Sequence, residues 1–139
     1  MMSKLILMLT LAITALTTTS LRAADEPKAS SGDRFFELRT YHCFPGRLDA
    51  LNKRFREHTN ELFKKHGMEM IAYWIPTDKP DTLIYVLAYP SKEAREKSWK
   101  DFGSDPVWKK ASAESEKDGK IVQKVDSVYM TPTDYSPMK

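Results

Sequence analysis

The sequence predicts an α+β domain with a ferredoxin-like βαββαβ order, in which a four-stranded antiparallel sheet carries its helices on one face. The prediction starts from apolar patterns that follow the chain in the order strand, helix, strand, strand, helix, strand. In this order, two right-handed strand–helix–strand crossovers interleave and form one sheet. A chain of 139 residues, 41% of them apolar, has room for one ordinary domain but not comfortably for two. The sheet face without helices must meet solvent, a ligand or a second subunit.

Residues 35–42 predict the first strand, because their side chains alternate between two faces. One face carries Phe36, Leu38 and Thr40, and the other carries Phe35, Glu37, Arg39 and Tyr41. Pro45-Gly46 predicts a turn. Apolar residues then recur at helical spacing from Leu48 to Phe63, and Gly67 is placed to end this helix after His66.

The second half of the chain predicts a hairpin, two helical pieces and a last strand. Residues 68–75 and 82–89 are apolar, aromatic-rich runs separated by turn residues, which favours a hairpin. Ser91 is a good N-cap for a helix that ends at Gly103, and Pro106 starts a second piece that runs to about Lys117. Residues 121–130 predict the last strand, followed by a proline-bearing tail.

The first 23 residues have the pattern of a secretory signal peptide rather than of the fold. Lys4 precedes an almost wholly apolar run over residues 5–16, and cleavage after Ala23 fits best, with Ala24 as the other choice. That run is too short to span a bilayer, which needs about 20 residues. An uncleaved anchor and a mitochondrial presequence are the alternatives. Residues 24–34 predict a flexible linker and residues 35–139 the domain, so we expect an exported protein, periplasmic or extracellular if bacterial.

Charge argues against nucleic acid and membrane surfaces as partners. The whole chain has a net charge of +3, and removing Lys4 and Arg22 with the signal peptide leaves 20 basic and 19 acidic residues. A surface that holds a phosphate backbone needs a clear excess of Lys and Arg. We therefore predict no nucleic-acid partner, and no membrane partner after cleavage.

Several short stretches together resemble the NIPSNAP family, a branch of the dimeric α/β-barrel superfamily. They run in order over residues 35–137 and comprise Phe36-Glu37-Leu38-Arg39-Thr40-Tyr41, Pro45-Gly46, Tyr73-Trp74, Ala88-Tyr89-Pro90-Ser91, Asp105-Pro106-Val107-Trp108 and Pro132-Thr133-Asp134-Tyr135-Ser136-Pro137. The chain departs from the family pattern at Ala72, where glycine is usual. It departs also at Leu87 and Tyr85, where tryptophan and histidine are frequent and which we expect on the open sheet face. The resemblance implies a homodimer in which the open sheet faces of two subunits close a barrel.

The candidate ligand-binding residues are those expected to face the inside of that barrel. Residues two apart on a strand lie on one face, so Glu37 and Arg39 are placed to pair or to hold a polar ligand together. Aromatic side chains on the same face would complete a pocket for a small apolar or aromatic ligand. The full set of candidates is Glu37, Arg39, Tyr41, Tyr85, Tyr89 and Trp74. The alternative is a structural ion pair with aromatic packing at the dimer contact.

The sequence predicts no metal site, no cofactor and no nucleophilic dyad. His58 and His66 lie eight residues apart, about 12 Å along a helix, too far to share one ion. His42 and Cys43 are adjacent on a strand and point to opposite faces, so Cys43 is expected to be an inert thiol. The five glycines are isolated, which excludes a Gly-rich phosphate loop.

Two hypotheses for function follow. The first is an exported homodimer that binds a small molecule or serves in assembly, with no catalytic motif that stands out. The alternative is a cofactor-independent monooxygenase or isomerase acting on a small apolar substrate in the barrel. The alternative requires Glu37, Arg39 and an aromatic hydroxyl to converge on a cavity that solvent reaches.

Overall fold

The computed structural model describes residues 34–139 and has the predicted ferredoxin-like architecture. Four antiparallel strands form one sheet in the order β2-β3-β1-β4. The strands are β1 (Phe35–Cys43), β2 (Glu69–Trp74), β3 (Thr82–Tyr89) and β4 (Val122–Met130). The helices are α1 (Leu48–Arg54), α2 (Asn60–Lys65), α3 (Lys92–Ser104) and α4 (Pro106–Ser115), with a π-helical turn (Phe55–Thr59) joining α1 to α2. The predicted signal peptide and all of the predicted linker except Arg34 lie outside the described residues.

The predicted first helix is a continuous rod of α1, the π-helical turn and α2. Gly46 and Gly67 flank it at φ angles of 74° and 73°, left-handed values that favour glycine, so these residues fix where the rod begins and ends. Periodicity alone does not predict the π-helical turn. There the Thr59 hydroxyl donates to the carbonyl oxygen of Arg54 at 3.3 Å.

Side-chain caps start both later helices. The Ser91 hydroxyl accepts a hydrogen bond from the Ala94 amide at 3.1 Å, as expected for an N-cap. Asp105 accepts one from the Val107 amide at 2.8 Å and is followed by Pro106, whose missing N–H costs nothing in a first turn. The predicted elements are confirmed with shifts of one to two residues at their ends.

The core between helices and sheet is largely aromatic. Phe55, Phe63 and Phe102 come from the helices and meet Tyr85 at the centre of the sheet, where its side chain is fully buried. Ring centroids in this group lie 5.2–6.1 Å apart in edge-to-face and tilted pairs. Trp99 and Trp108 of the later helices pack at its margin.

No helix from residues 34–139 lies on the opposite face of the sheet, but the C-terminal tail crosses one end of it. Arg34 donates to the carbonyl oxygen of Lys139 at 3.0 Å and pairs with Glu69, while its guanidinium lies 5.2 Å from the ring centre of Phe36. These contacts hold the tail against the sheet. No helix within residues 34–139 is long and apolar enough to cross a membrane.

Candidate functional site

The most concentrated polar cluster surrounds the carboxylate of Glu37 on β1, whose side chain is fully buried. One carboxylate oxygen accepts from Arg39 and Arg95, each at 2.8 Å. The other accepts from Tyr89 at 3.0 Å, from Arg95 Nε at 3.0 Å and from the Trp99 indole at 2.8 Å. Burial by itself would raise the pKa of Glu37, but hydrogen bonds from Arg95, Arg39 and Trp99 lower it to about 2. Glu37 is therefore a carboxylate whose acceptor sites are filled by protein donors.

Arg39 is the second member of the cluster and is held on several sides. Besides Glu37 it donates to the hydroxyls of Tyr85 at 3.0 Å and Ser127 at 3.2 Å, and its guanidinium lies 4.3 Å from the ring centre of Trp99. Burial would lower the pKa of Arg39, but the neighbouring tyrosines and Glu37 raise it, so the guanidinium stays charged. The cluster holds its charges as a hydrogen-bonded network.

Tyr85 and Tyr89 beside this pair stay protonated at physiological pH. Burial raises the pKa of Tyr89, and the carboxylate of Glu37 raises it further. Burial also raises the pKa of Tyr85 well above its usual range. Phenols of this kind donate hydrogen bonds but do not serve as bases.

The predicted barrel-side position of this cluster is wrong. Glu37, Arg39 and Tyr41 lie on the strand face that packs against the helices, as do Tyr85 and Tyr89 of β3. Leu87, also expected on the open face, is fully buried in the same core. The reason is that α3 supplies its own donors: Arg95 and Trp99 are four residues apart, on one helix face, and make burial of Glu37 possible. The sequence contains this i,i+4 pair of donors, but alternation along β1 does not show which sheet face the helix covers.

Trp74, the remaining candidate, does lie on the open sheet face. It is paired with Ile84 in the sheet, is 52% exposed and lines a cavity with Phe36 and Val86. The register shift between Met70 and Ala72 inserts Ile71 as an extra residue, which lines the same cavity. The structure thus separates Trp74 from the other five candidates by the thickness of the sheet.

Three of the cavities on residues 34–139 have volumes between 310 and 390 Å³, and none of these three is lined by Glu37 or Arg39. The 390 Å³ cavity lies between the open sheet face and the tail. A 320 Å³ cavity lies where the first helix meets the end of β2, beside Phe55, Tyr73 and the indole of Trp74. The 310 Å³ cavity lies between the first helix and α4.

The three histidines lie in three separate places. His42 Nε2 is 3.0 Å from Asp126 on the neighbouring strand, a cross-strand partner that spacing along the sequence does not reveal. His66 Nε2 is 2.8 Å from Asp105, and His58 lines the cavity beside α4. Within the described part of the chain, no three His, Cys, Asp or Glu side chains gather around a point where a metal ion would bind.

Cys43 is a free, buried cysteine in the core. Burial raises the pKa of its thiol, and the neighbouring Asp81 raises it further. This lowers the fraction of reactive thiolate. Burial also keeps the sulfur away from a second chain. These features favour the inert thiol over a subunit cross-link.

The chemistry open to the Glu37 cluster follows from these contacts. A general base needs a free lone pair within reach of the proton that it removes. Both carboxylate oxygens of Glu37 already accept two or three hydrogen bonds from Arg39, Arg95, Tyr89 and Trp99. The geometry therefore favours a structural role for the cluster over proton transfer.

Comparison with known proteins points to one family. The sequence profile of the NIPSNAP family matches residues 36–137. Among curated proteins, none matches the chain. A solved NIPSNAP family protein with unknown function from Agrobacterium tumefaciens is similar to this chain at 22% identity and a TM-score of 0.68, covering 79% of this chain and 97% of its own.

Two further solved structures extend the likeness in fold. An uncharacterised NIPSNAP-like domain protein from Burkholderia xenovorans is 14% identical, with a TM-score of 0.67, and covers 76% of this chain and 90% of its own. A proposed antibiotic biosynthesis monooxygenase from Chloroflexus aurantiacus is 16% identical, with a TM-score of 0.54, and covers 77% of this chain and all of its own. At these identities the likeness shows the fold alone.

Proposed function

Because the chain belongs to the NIPSNAP family, we propose that it acts as a homodimer whose open sheet faces pack against each other and enclose a small apolar ligand. The proposal rests on one observation, the apolar character of the open sheet face. This face is not covered by any helix of residues 34–139, and it holds Leu38, Ile84 and Val86 at its centre. Val128 and Trp74 on the flanking strands are 53% and 52% exposed.

An exposed apolar face of this kind marks an interaction site, since burial is worth about 25 cal/mol per Å² of apolar surface. A second copy would place a matching apolar face about 10 Å away, the usual spacing of packed sheets. The buried Glu37 cluster lies on the other face of the sheet and stabilises this arrangement, because it holds β1 and β3 against α3.

Charge at one corner of the face favours a second copy over a different partner. Asp126 lies 2.8 Å from Lys124 and 3.0 Å from His42, so this corner carries both signs. In a dimer with two-fold symmetry, a surface patch of one subunit meets the same patch of the other subunit. A corner with a carboxylate and an ammonium can pair with itself, whereas a patch of one sign would repel itself.

The ligand part of the proposal rests on the cavity between the open face and the tail. Its volume of about 390 Å³ falls in the range of small-molecule sites. The lining residues from the described part of the chain are all uncharged: Phe36, Ile71, Trp74, Val86, Met130, Thr131, Pro132, Thr133, Ser136 and Met138. Such a lining suits an uncharged apolar or aromatic molecule. The cavity is open to solvent in the single chain, and a second subunit would cover it.

We further propose that the domain works outside the cytoplasm after removal of residues 1–23. The support is the charged, apolar and small-residue order of the first 23 residues. A cofactor-independent oxygenase or isomerase remains the alternative, but the saturated Glu37 carboxylate provides no free base for it.

Sedimentation of matched variants tests the dimer. Val128 on the open face and Val107 on α4 are both 53% exposed, so the same substitution can be compared on the two sides of the domain. At micromolar concentration the wild type and Val107→Glu are expected to sediment as dimers. Val128→Glu is expected to sediment as a folded monomer, because dimerisation would bury its carboxylate. A monomeric wild type, or a dimer that survives Val128→Glu, would contradict the proposal.

A further inference from the structure

The helical side of the domain contains a second cavity with different chemistry. It has a volume of about 310 Å³ and lies between the first helix and α4, away from the open sheet face. Its buried and half-buried lining residues are Arg47, Ala50, Arg54, His58, Ala111 and Ser115, and its exposed ones are Lys53, Glu57, Glu114 and Asp118. Among the described residues, the inner lining thus combines two guanidinium groups with an imidazole and a hydroxyl, and the carboxylate of Glu116 outside this lining pairs with Arg54.

The fold alone does not explain why the buried guanidinium of Arg54 has so few hydrogen-bond acceptors. Its side chain is only 5% exposed, yet the only hydrogen bond that its guanidinium makes to the described residues goes to the hydroxyl of Ser115 at 3.2 Å. Arg54 Nη1 also forms a long ion pair with Glu116 Oε1 at 3.7 Å, and the ring centre of Trp108 lies 5.1 Å from the guanidinium carbon. Arg54 Nε has no acceptor within residues 34–139. Buried guanidinium groups normally have several acceptors, as Arg39 has in this same domain.

Arg47 repeats the pattern at the other end of the same cavity. Its Nη2 donates to the carbonyl oxygen of Gly119 at 3.0 Å, and its Nε is likewise buried without an acceptor in the described part of the chain. Two guanidinium groups with buried, unbonded Nε atoms lie beside one cavity, and of the two only Arg54 is paired with a carboxylate within residues 34–139, so together they favour a further anion there.

The π-helical turn provides a further observation at this cavity. Residues 55–59 carry Glu57 and His58 into the lining, immediately after Arg54. Such turns are rare and are often found at functional sites. The small residues Ala50 and Ala111 also line the cavity.

We propose that this cavity binds a small oxyanion, a carboxylate or a phosphate group, through Arg47 and Arg54, with His58 and Ser115 as further donors. The mixed charges at the rim, from Lys53 to Asp118, limit the site to small or partly zwitterionic molecules. This site is independent of the homodimer and of the apolar cavity on the other side of the sheet.

Titration of the full chain with inorganic phosphate and, separately, with acetate tests the proposal at constant ionic strength in sodium chloride. Backbone amide NMR signals are expected to shift and saturate in α1, the π-helical turn, α4 and residues 116–119. Preference for phosphate or for acetate identifies the group, and either preference supports the site. No saturable shift with either anion up to 20 mM, a range chosen to detect about millimolar binding, overturns it.

Three variants localise the binding. Arg47→Gln and Arg54→Gln are each expected to weaken it by about tenfold or more, since a charge-assisted hydrogen bond is lost. Arg56→Gln removes an exposed arginine from the same rod outside this cavity and is expected to leave binding unchanged. If Arg54→Gln does not fold, the half-buried Arg47 carries the test alone. Unchanged binding in Arg47→Gln overturns the proposal. Val128→Glu is expected to bind the anion normally, so failure of the dimer and failure of this site are distinguishable.

Discussion

Replacing Glu37 with glutamine tests whether the buried cluster stabilises the fold as its geometry implies. The substitution keeps the shape of the side chain but exchanges one oxygen for an NH₂ group. In one orientation that NH₂ group faces N–H donors of Arg39 and Arg95, and in the other it faces Arg95, Trp99 and the Tyr89 hydroxyl. Either way, donors meet donors and two guanidinium groups lose their counter-charge.

The size of the loss follows from the pKa of Glu37 and from burial. A pKa lowered from an ordinary 4.5 to about 2 corresponds to about 3 kcal/mol of stabilisation of the charged form. The partner side chains, Arg39 and Arg95, are only 14% and 18% exposed, so solvent screens the charges little. Removing one partner of a buried pair typically costs about 3–5 kcal/mol. We therefore expect Glu37→Gln to lower the free energy of unfolding by about 3 kcal/mol, a large part of the total for a domain of this size.

Urea unfolding as a function of pH is the appropriate assay. The native pKa of Glu37 is depressed, so its stabilisation is complete above about pH 5 and is lost as the pH falls towards 2. The difference between wild type and Glu37→Gln is expected to be largest at pH 7 and to shrink between pH 5 and pH 2. Glu96→Gln, which removes an exposed carboxylate from α3, is the matched control and is expected to cost less than about 0.5 kcal/mol. A loss below about 1 kcal/mol for Glu37→Gln, or a difference that does not depend on pH, would refute this account of the cluster.

Three further predictions follow from the fold and from the sequence. Ser91→Ala removes the N-cap of α3 and is expected to lower the free energy of unfolding by about 1 kcal/mol in urea titrations, whereas no change would show that the cap is not used. Phe63→Ala removes the ring of a residue that is only 1% exposed, and it is expected to lower the free energy of unfolding by about 3–5 kcal/mol. Circular dichroism would show this as a large loss of thermal stability. A loss in the free energy of unfolding of under about 1 kcal/mol would contradict the core described above. Intact mass of protein from its own cell is expected to show an N-terminus at Ala24 or one residue later, and a retained Met1 would contradict export by cleavage.

Much of the fold was predictable because local signals agree along the chain. The alternation of β1, the cap at Ser91, the proline at the start of α4 and the glycine after the first helix each act within a few residues, and the structure keeps all of them. The π-helical turn was not predictable, because nothing in the apolar spacing marks where one extra residue enters a helix.

The candidate site was predicted in part of its composition, without Arg95 and Trp99, and was not predicted in position. Alternation shows that Glu37, Arg39 and Tyr41 share a face, but it does not show which face the helices cover. The simple expectation that charged side chains avoid a core fails here because Arg95 and Trp99 supply donors from another element. Pairs such as His42 and Asp126, which are 84 residues apart, depend on strand order and become visible only in the folded chain.

The most direct test of the proposed homodimer compares two side chains that the single chain exposes equally. Val128 and Val107 are both 53% exposed, on the open sheet face and on α4. Methyl relaxation by a soluble paramagnetic agent reports contact with solvent without altering the protein. If the open faces pair, the Val128 methyls will be protected and the Val107 methyls will relax strongly, and dilution to monomer will remove the difference. Equal relaxation of the Val128 and Val107 methyls at high protein concentration, before dilution to monomer, would contradict the proposed homodimer.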